Sequence, residues 1–297
     1  MELQERFEEL QAEGLGVAAI SYDSEEVLAA FAERHGITDV PLLSDDDSAA
    51  IRAFGIYNHV AEEGLGPNAE DPGVKADVLR YVAVFGALPI AVGTPFPGTF
   101  VVDRQGRVTA RFFEEFYRER NTAANIMLKL GTPISGIAGS SGETAHLEIS
   151  ATQSDPAITV GSRFHLALDV TPKPGMHVYA PGAGDAGYRV IGLTLDVPSF
   201  LRLLPTDYPE SEIYYFEPLD ERVPVYQEPF RLVQELVVEG DQESSAQLAE
   251  IDALTLTGRL DYQACDDRIC YDPASVPLTW TLTVSPLDRQ RAVAAGQ

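Results

Sequence analysis

The apolar residues of this chain change their spacing once, near residues 132–145, and no single regular architecture accommodates both patterns. Before that point helical spacing alternates with short apolar runs. Leu3, Phe7 and Leu10 recur at helical intervals up to Gly14, and Gly16–Tyr22 reads as a buried strand. Ser24 caps a helix carrying Val27, Leu28, Phe31 and Ala32 that stops at Gly36. Val40–Leu43 is a second strand, and Ser44–Asp47 opens a helix through Phe54. From Asn58 to Thr94 the pattern loosens around one helix, about Val74–Phe85. Gly98–Val108 then reads as a hairpin around a Gly-containing turn, and a last helix runs from about Arg118 to Leu130. Strand–helix alternation predicts an α/β domain with a largely parallel sheet.

Residues Thr132–Ala145 are small and polar, the composition of a flexible linker. Beyond them His146–Ser150, Arg163–Val170, Leu193–Val197, Phe230–Val238, Leu254–Tyr262 and Leu278–Val284 alternate apolar and polar residues, with Pro and Gly in the gaps. Helical spacing returns only around Ser244–Glu250. Short strands with turn signals predict a β-sandwich. The expected organisation is a domain over 1–131, a linker over 132–145, a β domain over 146–288 and a frayed tail over 289–297. A length of 297 residues fits two domains.

The 45% hydrophobic and 23% charged content is that of an ordinary globular protein. The longest apolar stretch, Tyr81–Val92, is interrupted by Gly86 and Pro89 and falls short of the ~20 residues of a membrane helix. We therefore expect no membrane insertion by this chain. The opening residues are acidic and amphipathic, the opposite of a signal peptide, so the chain as given carries no export address. A net charge of −25 disfavours nucleic acid and anionic membranes. The acidity reads as solubility or a saline habitat rather than as a substrate signal.

The only two cysteines are Cys265 and Cys270, within Tyr262-Gln263-Ala264-Cys265-Asp266-Asp267-Arg268-Ile269-Cys270-Tyr271-Asp272-Pro273. A ring this short contributes about 2 kcal/mol in the chain-entropy picture, little for a domain that can bury a sizeable core. That favours a redox-active pair over a structural disulfide, two inert thiols or half a metal site. Zinc normally takes four Cys or His ligands at set spacings, and His35, His59, His146, His165 and His177 show none. No metal or cofactor is called for. Asp261, Asp266, Asp267 and Asp272 flank the sulfurs with Arg268 opposing, so these thiols are expected to be poor nucleophiles unaided. An accessible, strained disulfide attacked by an activated partner needs no such activation.

Residues Pro95–Arg107 (PFPGTFVVDRQGR), with the Arg111–Glu115 run and the helix after it, resemble the AhpC/TSA branch of thioredoxin-like proteins. The resemblance covers about 1–131. It implies that Pro97 is the cis-proline facing the reactive cysteine. In that family the cysteine opens the helix that here begins at Met1, and residues 1–131 contain no Cys. Thiol chemistry needs a thiolate, so no peroxidase activity is expected of residues 1–131 as given. The expectation is a thioredoxin-like domain incomplete at its N-terminus, from a longer protein, rather than a redox-dead scaffold.

The second half is similar to the amino-terminal, immunoglobulin-like domain of the disulfide reductase DsbD. The matching pieces are Gly175–Pro181, Gly184–Gly187, Val223–Tyr226, Tyr262–Cys265 and Cys270–Pro273, over about 146–286. The resemblance implies that Cys270 forms the mixed disulfide with a thioredoxin-like partner and that Cys265 resolves it. It implies an aromatic-bearing loop shielding the pair, here Tyr214–Asp220 with Phe216 or Leu219 as cap. Tyr179, Tyr262 and Tyr271 either wall the site or belong to the sandwich core, and His177 reads as a surface strand residue rather than a proton shuttle.

The sequence thus reads as a two-domain thiol–disulfide oxidoreductase, extracytoplasmic by resemblance, with a cytoplasmic setting as the alternative. The competing readings are a peroxiredoxin-like antioxidant whose nucleophile lies upstream, and a binding module with an inert disulfide.

Overall fold

The computed structural model describes residues 2–85, 95–113, 120–130, 137–217 and 220–286. The chain divides into two compact units, Met1–Arg118 and Glu119–Leu287.

The first unit is α/β. Strands Ala19–Ser21 and Leu42–Ser44 pair in parallel, Ile20 opposite Leu43, and the helix Glu25–His35 connects them. That helix ends where Gly36 takes φ 62°, a left-handed conformation that glycine adopts without a Cβ clash. Asp45 accepts from the amides of Ala50 (2.9 Å) and Ile51 (2.8 Å), anchoring the short helix Ala49–Ala53. Buried Asn58 accepts from Ala61 N and caps the helix His59–Leu65, which the sequence pattern did not indicate. The long helix runs over Pro72–Phe85. Strands Thr99–Val102 and Val108–Phe112 form the expected hairpin, its turn held by Asp103, which accepts from Gln105 N and Arg107 N. Pro97 lies just before this hairpin. The described residues contain no cis peptide bond, so the cis-proline expected there is trans.

The second unit is a mostly antiparallel β structure with three sheets; Ala157–Ile158 joins Ala274–Val284, and Arg120–Asn121 joins Ser162–Pro172, in parallel. One runs in the order Leu201–Leu203, Phe230–Val238, Ser162–Pro172, Leu147–Gln153, Ile137–Glu143. A second runs Gly192–Asp196, Ala253–Tyr262, Ala274–Val284, Ala157–Ile158. Alternating side chains of these two meet in one core, with Phe164, Leu166, Leu168 and Leu236 from the first and Leu256, Leu260, Leu278 and Trp280 from the second. This is the sandwich that period-2 alternation predicts. The third sheet, Glu212–Phe216, Glu221–Tyr226, His177–Tyr179, Ala264–Cys265, carries the cysteine.

The domain boundary differs from the expected one. Ile137–Glu143, inside the expected flexible linker, is an edge strand paired with Leu147–Gln153. Small residues suit it: a Cβ on Gly139 would meet Trp280 Cδ1 at 3.1 Å and the carbonyl oxygens of Ala151 and Thr279 at 3.3 Å. The helix Ala123–Lys129 belongs to the second unit rather than the first. It buries Ala123, Ala124 and Met127 against Ser162–Pro172 and is tied by Asn125 Nδ2 donating to Glu235 Oε1 (2.6 Å). The remainder of the expected linker before residue 137, the tail over 289–297 and Leu219 lie outside the described residues.

Candidate functional site

The edge strand Ala264–Cys265 of the third sheet is short because the chain turns sharply after it. Ala264–Cys265 pairs antiparallel with His177–Tyr179, placing Cys265 opposite His177. Asp266 then builds the turn. Its Oδ1 accepts from the amides of Arg268 and Ile269, each at 2.8 Å, and its Oδ2 accepts from the Tyr271 hydroxyl at 2.9 Å. These backbone donors, Ile269 first, hold the Asp266 carboxyl below its ordinary range, while the hydrogen bond to Asp266 pushes the Tyr271 phenol up. Asp266 N also donates to Ile269 O (3.0 Å), and Tyr271 N to Ala264 O (2.9 Å). The turn brings Cys270 back to Cys265 with a Cα–Cα distance of 4.0 Å, and the two sulfurs are joined in a disulfide.

The two ends of this bond sit in different surroundings. Cys265 is 1% exposed and packs with Tyr179, Ala183, Val223 and Val225. Cys270 is exposed, next to the exposed side chain of Ile269. The Tyr179 hydroxyl stands 3.2 Å from each sulfur. Its ring stacks on Tyr188 at 4.3 Å, and the Tyr188 hydroxyl donates to Glu221 Oε2. That hydrogen bond pushes the Tyr188 phenol up to about 12. Burial pushes the Tyr179 phenol up, reinforced by the negative charge of Glu221.

His177, expected on the surface, is 4% exposed. Its ring packs, tilted, against Tyr214 at 4.6 Å and meets the edge of Tyr179 at 5.8 Å. Burial depresses its basicity, opposed in part by Asp266. Its strand is central in the third sheet, and all three of its residues are buried, so both faces are covered. The unalternating run His177-Val178-Tyr179 was the available signal for a central strand.

Of the residues singled out from the sequence, the structure brings together Cys265, Cys270 and Tyr179. Tyr271 contributes through the turn, and its ring packs, tilted, against His146 at 4.4 Å. Tyr262 is a core residue, 1% exposed, donating to Thr144 Oγ1 at 2.9 Å. Phe216 is half-buried at the end of a strand, in register with Glu221, and Tyr214 of the same strand is the one packed against the cysteine cluster. Pro97 belongs to the first unit. Asp261 is engaged with Arg259 and Ser275, and Asp267 and Arg268 are exposed. The partnership of Tyr188 with Glu221 had no sequence signal, since it joins residues far apart in the chain. Among the described residues no group of three or more His, Cys, Asp or Glu is arranged to hold a metal ion, and no helix is long and apolar enough to cross a membrane.

Residues 1–111 match the AhpC/TSA family, and residues 149–278 match the family described as thiol:disulfide interchange protein DsbD, N-terminal. Each half matches a redox family. Among solved structures, the N-terminal periplasmic domain of ScsB from Proteus mirabilis matches at 16% identity and TM-score 0.36, covering 49% of this chain and 51% of that one. The chain thus spans about half the length of that ScsB structure. The reduced DsbD n-terminal domain of Neisseria meningitidis matches at 13% identity and TM-score 0.27, covering 53% of this chain and 97% of that one. No curated protein matches the chain. A thioredoxin-like region, a DsbD-type β domain and a formed cysteine pair together support a thiol–disulfide redox role.

Proposed function

We propose that the chain is a thiol–disulfide oxidoreductase that passes electrons through Cys265–Cys270 by exchange with a thioredoxin-like partner. The observation that carries this reading is the asymmetry of the bond, with Cys270 exposed and Cys265 buried. Exchange proceeds by attack of a thiolate on one sulfur of a disulfide, and access decides which. The incoming thiolate forms a new S–S bond to Cys270 Sγ as the Cys265–Cys270 bond breaks, and the electron pair leaves on Cys265 Sγ. A second thiolate on the partner then displaces Cys270. The partner ends as a disulfide and both cysteines end reduced; the reverse sequence returns the electrons.

The acidic surroundings fit a carrier. Asp266 follows Cys265 in the chain and Glu221 bears on the Tyr179 hydroxyl, and like charge does not favour a resting thiolate. Activation therefore rests with the partner. Such chemistry belongs to an extracytoplasmic setting, the periplasm or cell envelope, in line with the periplasmic domain of ScsB.

The test is trapping: each single-cysteine variant is first converted to a mixed disulfide with thionitrobenzoate and then met by a reduced thioredoxin that keeps only its attacking cysteine, so that thionitrobenzoate leaves as the new S–S bond forms. Cys265→Ser should give the covalent complex through Cys270, and Cys270→Ser far less. Equal trapping by both variants would reverse or remove the assignment of roles. A disulfide that resists reduced thioredoxin, and whose removal unfolds the domain, would make the pair a structural staple.

A further inference from the structure

In the oxidised pair neither sulfur carries a proton, so the Tyr179 O–H, 3.2 Å from both, is the donor and each sulfur a weak acceptor. While the bond is intact the two acceptors are nearly equivalent. They cease to be so once Cys270 Sγ is taken into a new bond and Cys265 Sγ becomes the leaving group. The leaving sulfur is then an anion in a site that is 1% exposed, packed with Ala183, Val223, Val225 and Tyr214. An anion in such surroundings is strongly disfavoured unless a donor faces it.

We infer that Tyr179 is a catalytic residue of the exchange, its hydroxyl donating a hydrogen bond to Cys265 Sγ as that sulfur departs. The inference rests on the exchange reading above. Atoms and electrons balance: the attacking thiolate bonds Cys270 Sγ, the Cys265–Cys270 bond breaks, and its electron pair becomes the Cys265 thiolate. The phenol keeps its proton and turns from a weak acceptor to a charged one. Hydrogen bonds to charged groups are about twice as strong as neutral ones, so the contact strengthens as the charge develops. A contact that strengthens in this way speeds the step rather than merely stabilising the resting disulfide.

Two features keep the donor in place and protonated. Its ring is stacked on Tyr188, itself held by Glu221, and its backbone is pinned on both sides, with Ala180 N donating to Pro224 O (3.0 Å) and Ile191 N to Tyr179 O (2.9 Å). Burial and the charge of Glu221 push the phenol above its ordinary value of 10.0, so it remains a donor across the neutral range. Tyr188 is accordingly a positioning residue.

The experiment uses the full chain and dithiothreitol, a small dithiol that needs no docking surface. Tyr179→Phe should slow reduction of the disulfide about tenfold. In a Cys270→Ser background the pKa of the Cys265 thiol, read from the pH dependence of its alkylation by iodoacetamide, should rise by about one unit on Tyr179→Phe, the same tenfold factor. Tyr188→Leu, which removes the stacked ring but leaves the hydroxyl, should move both readouts the same way by roughly threefold, and it carries the test alone if Tyr179→Phe does not fold. Tyr208→Phe removes another partly buried phenol oxygen, one that donates to Ile191 O, and should leave both readouts unchanged. Unchanged rate and thiol pKa in the folded Tyr179 or Tyr188 variants, with an ordinary wild-type rate, would overturn the inference and leave the exchange reading standing. Equal slowing by Tyr208→Phe would overturn it too. If dithiothreitol cannot reduce the folded wild-type chain, the exchange reading itself falls.

Discussion

His177 and Cys265 face each other across an antiparallel strand pair, and both are almost completely buried. A histidine in that position is kept neutral. Its folded-state basicity is depressed by burial, with Asp266 opposing, below the ordinary value of 6.5. The sign of the consequence is fixed by linkage. Below pH 6.5 the unfolded chain binds a proton at His177 that the folded chain refuses, so stability falls as pH falls, until the folded-state pKa is reached.

The first prediction is that stability declines between about pH 7 and pH 5.5 and that His177→Gln flattens this decline. Urea unfolding at several pH values, followed by the fluorescence of the single tryptophan, Trp280, in the core of the second unit, measures it. An unaltered pH dependence in His177→Gln would place the titration elsewhere.

A second prediction concerns Asp266. Its carboxylate holds the amides of Arg268 and Ile269, and its folded pKa lies below the ordinary 3.8. A depressed carboxylate contributes above its unfolded pKa and loses that contribution only as pH falls through the folded one. Hydrogen exchange at Arg268 and Ile269 should therefore be slow at pH 5 and stay protected to below pH 3.8, after correction for intrinsic rates. Asp266→Ala should abolish that protection at both pH values while leaving the sandwich core protected.

Much of this architecture was legible in the sequence. The helix Glu25–His35 and the strands Ser162–Pro172, Phe230–Val238 and Ala253–Tyr262 follow from the period of their apolar residues. What was not legible has physical reasons. Ile137–Glu143 carries Gly-Ser-Ser-Gly at its centre, where a large side chain at Gly139 would run into Trp280, and such a composition looks the same as a flexible linker. His177 reads as exposed when its polarity is weighed above the unalternating run His177-Val178-Tyr179, and its burial involves Tyr214, a ring distant in the chain. The cysteine pair and Tyr179 were named from the sequence. Their geometry, one sulfur buried and one open with a phenol between, depends on the Asp266 turn and on stacking by Tyr188.

The third prediction tests that strand. If Ile137–Glu143 is part of the sheet, limited proteolysis should leave it intact. Gly139→Val should destabilise the second unit by roughly 1–3 kcal/mol, the cost of overpacking a tight site. A flexible linker would accept the substitution without change and would be cut first. Trp280 fluorescence reports the unfolding, since the clash falls on that ring.

The last prediction separates the disulfide from the turn that holds it. Hydrogen bonds from Asp266 N, Arg268 N, Ile269 N and Tyr271 N bridge or cap the loop without the sulfurs, and Cys265 keeps its strand partner His177. Replacing both cysteines by serine should therefore leave the domain folded, with a loss on the order of 2 kcal/mol from the six-residue ring. The buried site receives a hydroxyl in place of Cys265 Sγ, and Tyr179, 3.2 Å from that sulfur, supplies a hydrogen-bond partner for it. Denaturant unfolding of Cys265→Ser with Cys270→Ser measures the loss, and exchange at Arg268 and Ile269 tests the turn directly. Retained protection with a small shift in midpoint is the expected result. Collapse of the Trp280 transition, or free exchange throughout the turn, would mean that the bond rather than Asp266 organises the site.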